Sequence, residues 1–113
     1  MKIALDYDLT YTLDPAFWDS FIASVTARGH EVRIVTIRDE RHDRTAPLVE
    51  LEKRLPVIFT RGVAKAFYLM HFVPEFWPVQ VWIDDSPRSV FENSSASPEW
   101  LATWRAERGE PAD

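Results

Sequence analysis

The chain has 113 residues, with 13 basic and 18 acidic side chains, a formal net charge of −5 and no cysteine. This length predicts one domain, residues 1–113, with a single core. The acidic excess argues against sequence-specific nucleic-acid binding, and the missing cysteines exclude disulfides and thiolate nucleophiles. No run approaches the length of a membrane span, so we expect no membrane partner and a cytoplasmic location.

Four short segments rich in β-branched or aromatic residues are predicted to form strands. They cover residues 2–6, 31–36, 57–60 and 79–84. Each is bounded by turn or helix signals, which is typical of a buried strand.

Helical patterns follow each of these strands. They cover residues 15–28, 46–55, 62–72 and 98–108. The first is expected to begin at Asp14 and Pro15, which suit an N-cap and a first helical position, and to end at Gly29. The last is expected to begin at Ser97 and Pro98.

The alternation of strands and helices predicts the fold class. Successive strands are separated by 18 to 24 residues, enough for the crossover helix that parallel neighbours require. We therefore expect an α/β protein: a three-layer α/β/α sandwich on a mostly parallel, Rossmann-like sheet.

Polar residues follow the predicted strands, and in such sheets ligands bind outside the carboxyl ends of the strands. These residues are Asp6 and Asp8 after the first strand, Thr36 at the end of the second, Lys65 in the helix after the third, and Asp84 and Asp85 after the fourth. Because side chains lean toward the N-terminus of a helix, Lys65 in a first turn is expected to point back at this edge.

Converging carboxylates need a proton or a cation. Two like charges about 4 Å apart repel by roughly 4 kcal/mol at an effective dielectric constant near 20. A divalent metal balances such charge, and an all-oxygen ligand set favours Mg²⁺ over zinc.

The order of these residues resembles the four signature motifs of the haloacid dehalogenase superfamily of phosphohydrolases. The motifs are Asp6-x-Asp8-x-Thr10, then Thr36, then Lys65, then Asp84-Asp85 after "VQVWI", and together they span residues 3–85. One departure is Leu9, where many members have glycine. The second aspartate, which family dehalogenases lack, points to phosphatase chemistry.

The resemblance implies a role for each motif residue. Asp6 would attack phosphorus and form an aspartyl-phosphate. Asp8 would protonate the leaving alcohol and later deprotonate water, so we expect its neighbours to raise its pKa. Thr36 and Lys65 would hold the phosphoryl oxygens.

The resemblance also implies a Mg²⁺ site. Asp6 and the main-chain carbonyl of Asp8 would bind the ion, and Asp84 or Asp85 would complete the site. Adjacent residues on a strand point in opposite directions, so the sequence does not decide between these two.

The loop after Thr36, "IRDERHDR", is rich in arginine. One interpretation is a solvated, charge-balanced loop, because acidic residues alternate with the basic ones. The other is that Arg38 and Arg41 form a fork for a second anionic group on the substrate.

The chain has no room for the cap domain of many family members, with 29 residues between Asp6 and Thr36 and 28 between Thr36 and Lys65. An open site suits a large substrate, or a small one enclosed by another subunit. We expect a phosphorylated small molecule or nucleotide, or a nucleic-acid end, as substrate. Trp100 and Trp104 are expected to pack the last helix onto the sheet, with a homodimer contact as the less favoured interpretation.

Two other functional classes stay open: a phosphate-sensing domain and a non-catalytic interaction module. Response-regulator receiver domains also combine acidic residues, a Thr or Ser and a Lys on such a sheet, but their acceptor aspartate follows the third strand. Here that strand is followed by Thr60 and Arg61, which disfavours the receiver interpretation.

Overall fold

A computed structural model describes residues 1–94 and 99–109. The strands in these ranges are β1 (Lys2–Leu5), β2 (Glu31–Thr36), β3 (Val57–Phe59) and β4 (Val81–Ile83). The α-helices are α1 (Pro15–Ala27), α2 (Ala46–Glu52), α3 (Lys65–Phe72), α4 (Arg88–Phe91) and α5 (Glu99–Glu107), and 3₁₀ turns cover Tyr11–Leu13 and Pro74–Phe76.

The four described strands form one parallel sheet in the order β3-β2-β1-β4. Leu5 at the end of β1 pairs with Ile34 on one side and with Ile83 on the other. The predicted α/β class with a parallel sheet is thus confirmed. Because the strands are parallel and neighbouring, the segments that follow β1, β2 and β4 start at the same edge of the sheet.

Helix α1 begins where its local sequence predicts. The Asp14 side chain accepts a hydrogen bond from the Phe17 N–H at 3.1 Å, and Pro15 occupies the first helical position. The helix ends before Gly29, whose φ of 88° lies in the left-handed region that glycine adopts without steric cost.

Two apolar clusters pack against the sheet, one on each face, because successive side chains of a strand point to opposite faces. Ile3, Leu5 and Ile34 belong to one cluster, together with side chains of α1 and α2. Ala4 and Val35 belong to the other, which contains Leu69 of α3 and Phe76. Buried apolar side chains therefore cover both faces of the sheet at β1.

The C-terminal part differs from the prediction in two ways. Helix α4, a single turn after β4, is not predicted from the sequence. The rings of Trp100 and Trp104 lie against α3, where Phe72 contacts both, so the last helix packs on a neighbouring helix. The predicted start of that helix at Ser97 and Pro98 lies outside the described residues.

The described helices include none that combines the length and the apolar character needed to cross a membrane.

Candidate active site

The sequence-predicted polar residues meet in a cleft at the carboxyl edge of the sheet. The cleft has a volume of about 190 Å³, and its lining includes Asp6, Asp8, Thr36, Lys65, Asp84 and Asp85. Leu9, Ile37, Ser86 and Ser89 complete the lining. Six residues from four separate segments of the chain thus share one small volume.

Asp6 is fixed at the end of the central strand. Its N–H donates to the carbonyl of Ile83 at 2.9 Å, which extends the β1–β4 pairing by one residue. The side chain is 7% exposed and faces the cleft. The Thr10 hydroxyl lies 3.3 Å from Asp6 Oδ2 and 3.4 Å from Asp85 Oδ1, so it donates to either carboxylate.

Lys65 is the first residue of α3, and its ammonium reaches back to the strand ends as predicted. It is only 2% exposed. Its Nζ donates to Asp6 Oδ1 at 2.8 Å and to Asp84 Oδ2 at 2.5 Å. These two carboxylates offset the cost of burying the Lys65 side chain.

Asp84 and Asp85 both line the cleft, so the structure does not single out one of the two as the metal ligand. Since β4 ends at Ile83, neither residue obeys the alternation of a strand. Asp84 also accepts hydrogen bonds from the Ser86 N–H at 2.9 Å and the Ser89 hydroxyl at 3.2 Å. Asp85 is exposed and contacts Thr10.

Asp6, Asp84 and Asp85 form a cluster of like charge. One carboxylate oxygen from each lies within 4.8 Å of the others. Burial, and then the hydrogen-bonded neighbour Asp85, raise the pKa of Asp6 to about 7, although Lys65 acts in the opposite direction. Three carboxylates against one ammonium leave two negative charges uncompensated when all are ionised, which is the charge that a divalent cation carries.

The oxygen donors of this cluster fit Mg²⁺. Carboxylate oxygens are the ligands that this ion prefers, and an ion held by these three would lie in the cleft. Lys65 would remain beside the ion rather than bind it. The cluster is therefore a chemically suitable metal site.

Asp8 is paired with an arginine, whereas its neighbours were expected to raise its pKa. Arg38 donates to both of its carboxylate oxygens, from Nε at 2.8 Å and from Nη2 at 2.7 Å. This fork lowers the pKa of Asp8 below its ordinary value, and it outweighs the opposing effect of burial. The expectation that its neighbours raise the pKa of Asp8 is wrong.

Arg38 itself is anchored on three sides. Besides Asp8, it donates from Nη1 to the carbonyl of Asp43 at 2.8 Å, and its guanidinium lies 5.3 Å from the centre of the Tyr7 ring. Its main-chain N–H donates to the Thr36 hydroxyl oxygen at 3.3 Å. The Asp8 carboxylate already binds the Arg38 N–H groups that were predicted to bind a second anionic group of the substrate.

Arg41 does not line the cleft. Its guanidinium pairs with Asp39 at 2.9 and 2.7 Å within the same loop, and the side chain is about half exposed. For Arg41, the structure therefore agrees with the charge-balanced interpretation of the loop.

Sequence reasoning missed the side chains that support the predicted residues. Ser89 contacts Asp84 from the unpredicted helix α4, and Asn93 accepts a hydrogen bond from the Ala64 N–H at 2.9 Å, just before Lys65. The turn residues in "DDSPRS" were a detectable signal, because Asp followed by Ser-Pro favours a side-chain-capped turn.

Comparison with protein-family models finds no match to this chain, and comparisons with curated proteins and with solved structures find no significant match either.

Proposed function

We propose that the protein is a Mg²⁺-dependent phosphomonoesterase that acts through an aspartyl-phosphate, as a capless member of the haloacid dehalogenase superfamily with its three-layer sandwich. The observation that carries the proposal is the buried Lys65 ammonium between Asp6 and Asp84, with Asp85 beside them. One cleft then contains a nucleophile, a cation for phosphoryl oxygens and carboxylates whose uncompensated negative charge suits a metal.

In the first step, an oxygen of Asp6 attacks phosphorus and the bond from phosphorus to the leaving oxygen breaks. Asp8, released from Arg38 and protonated by solvent, donates a proton to the leaving oxygen, which departs as the alcohol. Lys65 is close enough to Asp6 to contact a phosphoryl oxygen at the point of attack. Bound Mg²⁺ would supply charge neutralisation for the phosphoryl oxygens.

In the second step, a water oxygen attacks phosphorus, and phosphate leaves as the Asp6 carboxylate re-forms. Asp8 accepts the proton of that water. Its pairing with Arg38 keeps Asp8 ionised in the resting protein, which is the form that this step needs. Protonation of the leaving group in the first step requires that the Arg38 contact loosen when substrate binds.

A panel of phosphomonoesters, assayed for phosphate release with Mg²⁺ and with EDTA, tests the proposal. We expect release that depends on Mg²⁺ and is abolished in Asp6→Asn, since the amide is a far weaker nucleophile than the carboxylate. Release that survives this substitution would exclude Asp6 as the nucleophile.

Asp14→Asn is the matched control for that variant. Asp14 caps α1 away from the cleft, and asparagine is an equally good N-cap, so full activity is expected. If no phosphomonoester is hydrolysed while Mg²⁺ still raises the melting temperature, the protein binds the metal without turnover, and a non-catalytic binding module replaces the enzyme.

A further inference from the structure

Two exposed apolar side chains border the otherwise ionic cleft. Leu9, in the loop after β1, is 62% exposed, and Ile37, just after β2, is 41% exposed. Both line the same cleft as Asp6 and Lys65. An exposed aliphatic side chain is ordinary by itself, but two of them at the mouth of a charged cleft provide apolar surface next to the reacting group.

Leu9 also adopts a costly backbone conformation. Its φ of 58° lies in the left-handed region, which a leucine rarely occupies. Because the side chain is mostly exposed, packing in the core does not compensate for this cost. The fold alone would be served better by glycine or asparagine, so the side chain of Leu9 requires another explanation.

The cleft adjoins a second cavity at Ile37, and most of the residues that line this cavity are polar. Ile37, Ser86 and Ser89 line both the cleft and a neighbouring cavity of about 280 Å³. The lining of that cavity also contains Asn93 and the ion pair of Arg88 and Glu92. A group that extends past Ile37 from the cleft therefore meets hydroxyl, amide and charged groups.

Resting on the proposed function, we propose that Leu9 and Ile37 hold a ring of the leaving group, and that the substrates are phosphomonoesters with an aromatic or heteroaromatic ring. The apolar faces of the ring would contact the two aliphatic side chains. Polar groups on the ring edge would meet the serine-lined cavity. The occupant is a small molecule because both side chains lie in the same 190 Å³ cleft as the nucleophile.

Binding of two phosphonates that cannot be hydrolysed tests this inference without requiring turnover. The probes are 2-phenylethylphosphonate and propylphosphonate, titrated calorimetrically with Mg²⁺ present. We expect the wild type to bind the phenyl compound about tenfold more tightly, the preference expected from burying about 50 Å² of additional apolar surface. Equal affinities, or no binding of either probe, would overturn the inference.

Leu9→Asn and Ile37→Ser are expected to lower that preference toward one. Asparagine tolerates a positive φ, so Leu9→Asn should keep the melting temperature of the wild type or raise it. Leu13→Ser is the matched control, because Leu13 is 71% exposed and is not among the residues that line the cleft. It should retain the full preference for the phenyl compound.

The outcomes separate this inference from the proposed function. An unchanged preference in Leu9→Asn and Ile37→Ser overturns the inference, whether or not the enzyme releases phosphate. A marked fall in melting temperature in Leu9→Asn would also count against it, because it would assign Leu9 a structural role. Failure of phosphate release with a retained ring preference would contradict only the proposed function.

Discussion

Arg38 closes a two-pronged hydrogen bond on Asp8 across 30 positions of sequence, with both contacts below 3 Å. Such a fork stabilises the ionised carboxylate and fixes its orientation. Arg38 therefore controls the charge state of the residue that the proposed mechanism uses as its proton carrier.

Removal of the Arg38 guanidinium should raise the pKa of Asp8. In Arg38→Met, the carboxylate loses the hydrogen bonds that lower its pKa, while the opposing effect of partial burial remains. Titration of the Asp8 carboxyl carbon by NMR measures the change. In the control Arg41→Met, which removes only the Asp39 pair, the pKa of Asp8 should stay at its wild-type value. A pKa of Asp8 that does not rise in Arg38→Met would contradict the assigned role of the fork.

The metal-free protein should lose stability as pH rises from about 4 to 7. The pKa of Asp6 is about 7 in the folded protein, against an ordinary value of 3.8, so over this interval the unfolded state binds fewer protons. The free energy of unfolding then falls with pH, and the contribution of Asp6 is fully present only below 3.8. Urea unfolding in EDTA at pH 5 and pH 8 should reveal this fall. Asp6→Asn should reduce it, and an unchanged pH dependence in that variant would argue against a raised pKa.

Neutralisation of Asp84 should destabilise the metal-free protein more than neutralisation of Asp85. Asp84→Asn removes a charged partner of buried Lys65, with an expected cost of about 1–3 kcal/mol. Asp85→Asn changes an exposed carboxylate that hydrogen-bonds with Asp6 and is not paired with Lys65, so it should lower the free energy of unfolding by less than Asp84→Asn does. Both variants should weaken Mg²⁺ binding, measured calorimetrically. Equal destabilisation by the two substitutions would contradict the finding that Asp84, and not Asp85, is the charged partner of Lys65.

Loss of the Lys65 charge should be costly above neutral pH. Lys65→Met leaves Asp6 and Asp84 without their shared cation, and removing one partner of a buried ion pair costs about 3–5 kcal/mol. The cost should be smaller at pH 5, where Asp6 is protonated in the metal-free protein. Lys53→Met, which removes an exposed lysine paired with Glu50, should change the free energy of unfolding by less than about 1 kcal/mol. Similar losses in the two variants would contradict the role of Lys65.

The position of Lys65 is an example of what the sequence does predict. A lysine in the first turn of the helix that follows a parallel strand leans back toward the strand ends, whatever the details of packing. The parallel sheet and the convergence of Asp6, Asp84 and Lys65 follow from the same elementary rules, because crossover helices between parallel strands bring the strand ends to one edge.

Other features depend on backbone conformation after a regular element has ended. Alternation along a strand suggested that only one of Asp84 and Asp85 faces the site, but β4 stops at Ile83 and the chain bends, so both do. The pairing of Arg38 with Asp8 depends on the path of the loop after β2. Nothing in the local pattern distinguishes Arg38 from Arg41, and for this reason the sequence assigned both the same role.

The central claim is that Asp6 becomes phosphorylated during turnover, and acid quenching tests it most directly. The protein is mixed with Mg²⁺ and a phosphomonoester that it hydrolyses, and the reaction is quenched in acid within the first turnover. The quenched protein is then digested and examined by mass spectrometry. We expect one phosphoryl group on the peptide that contains Asp6, with fragment ions that assign it to that residue, and none in Asp6→Asn. Phosphate release without any adduct at Asp6, or an adduct at Asp8 instead, would contradict it.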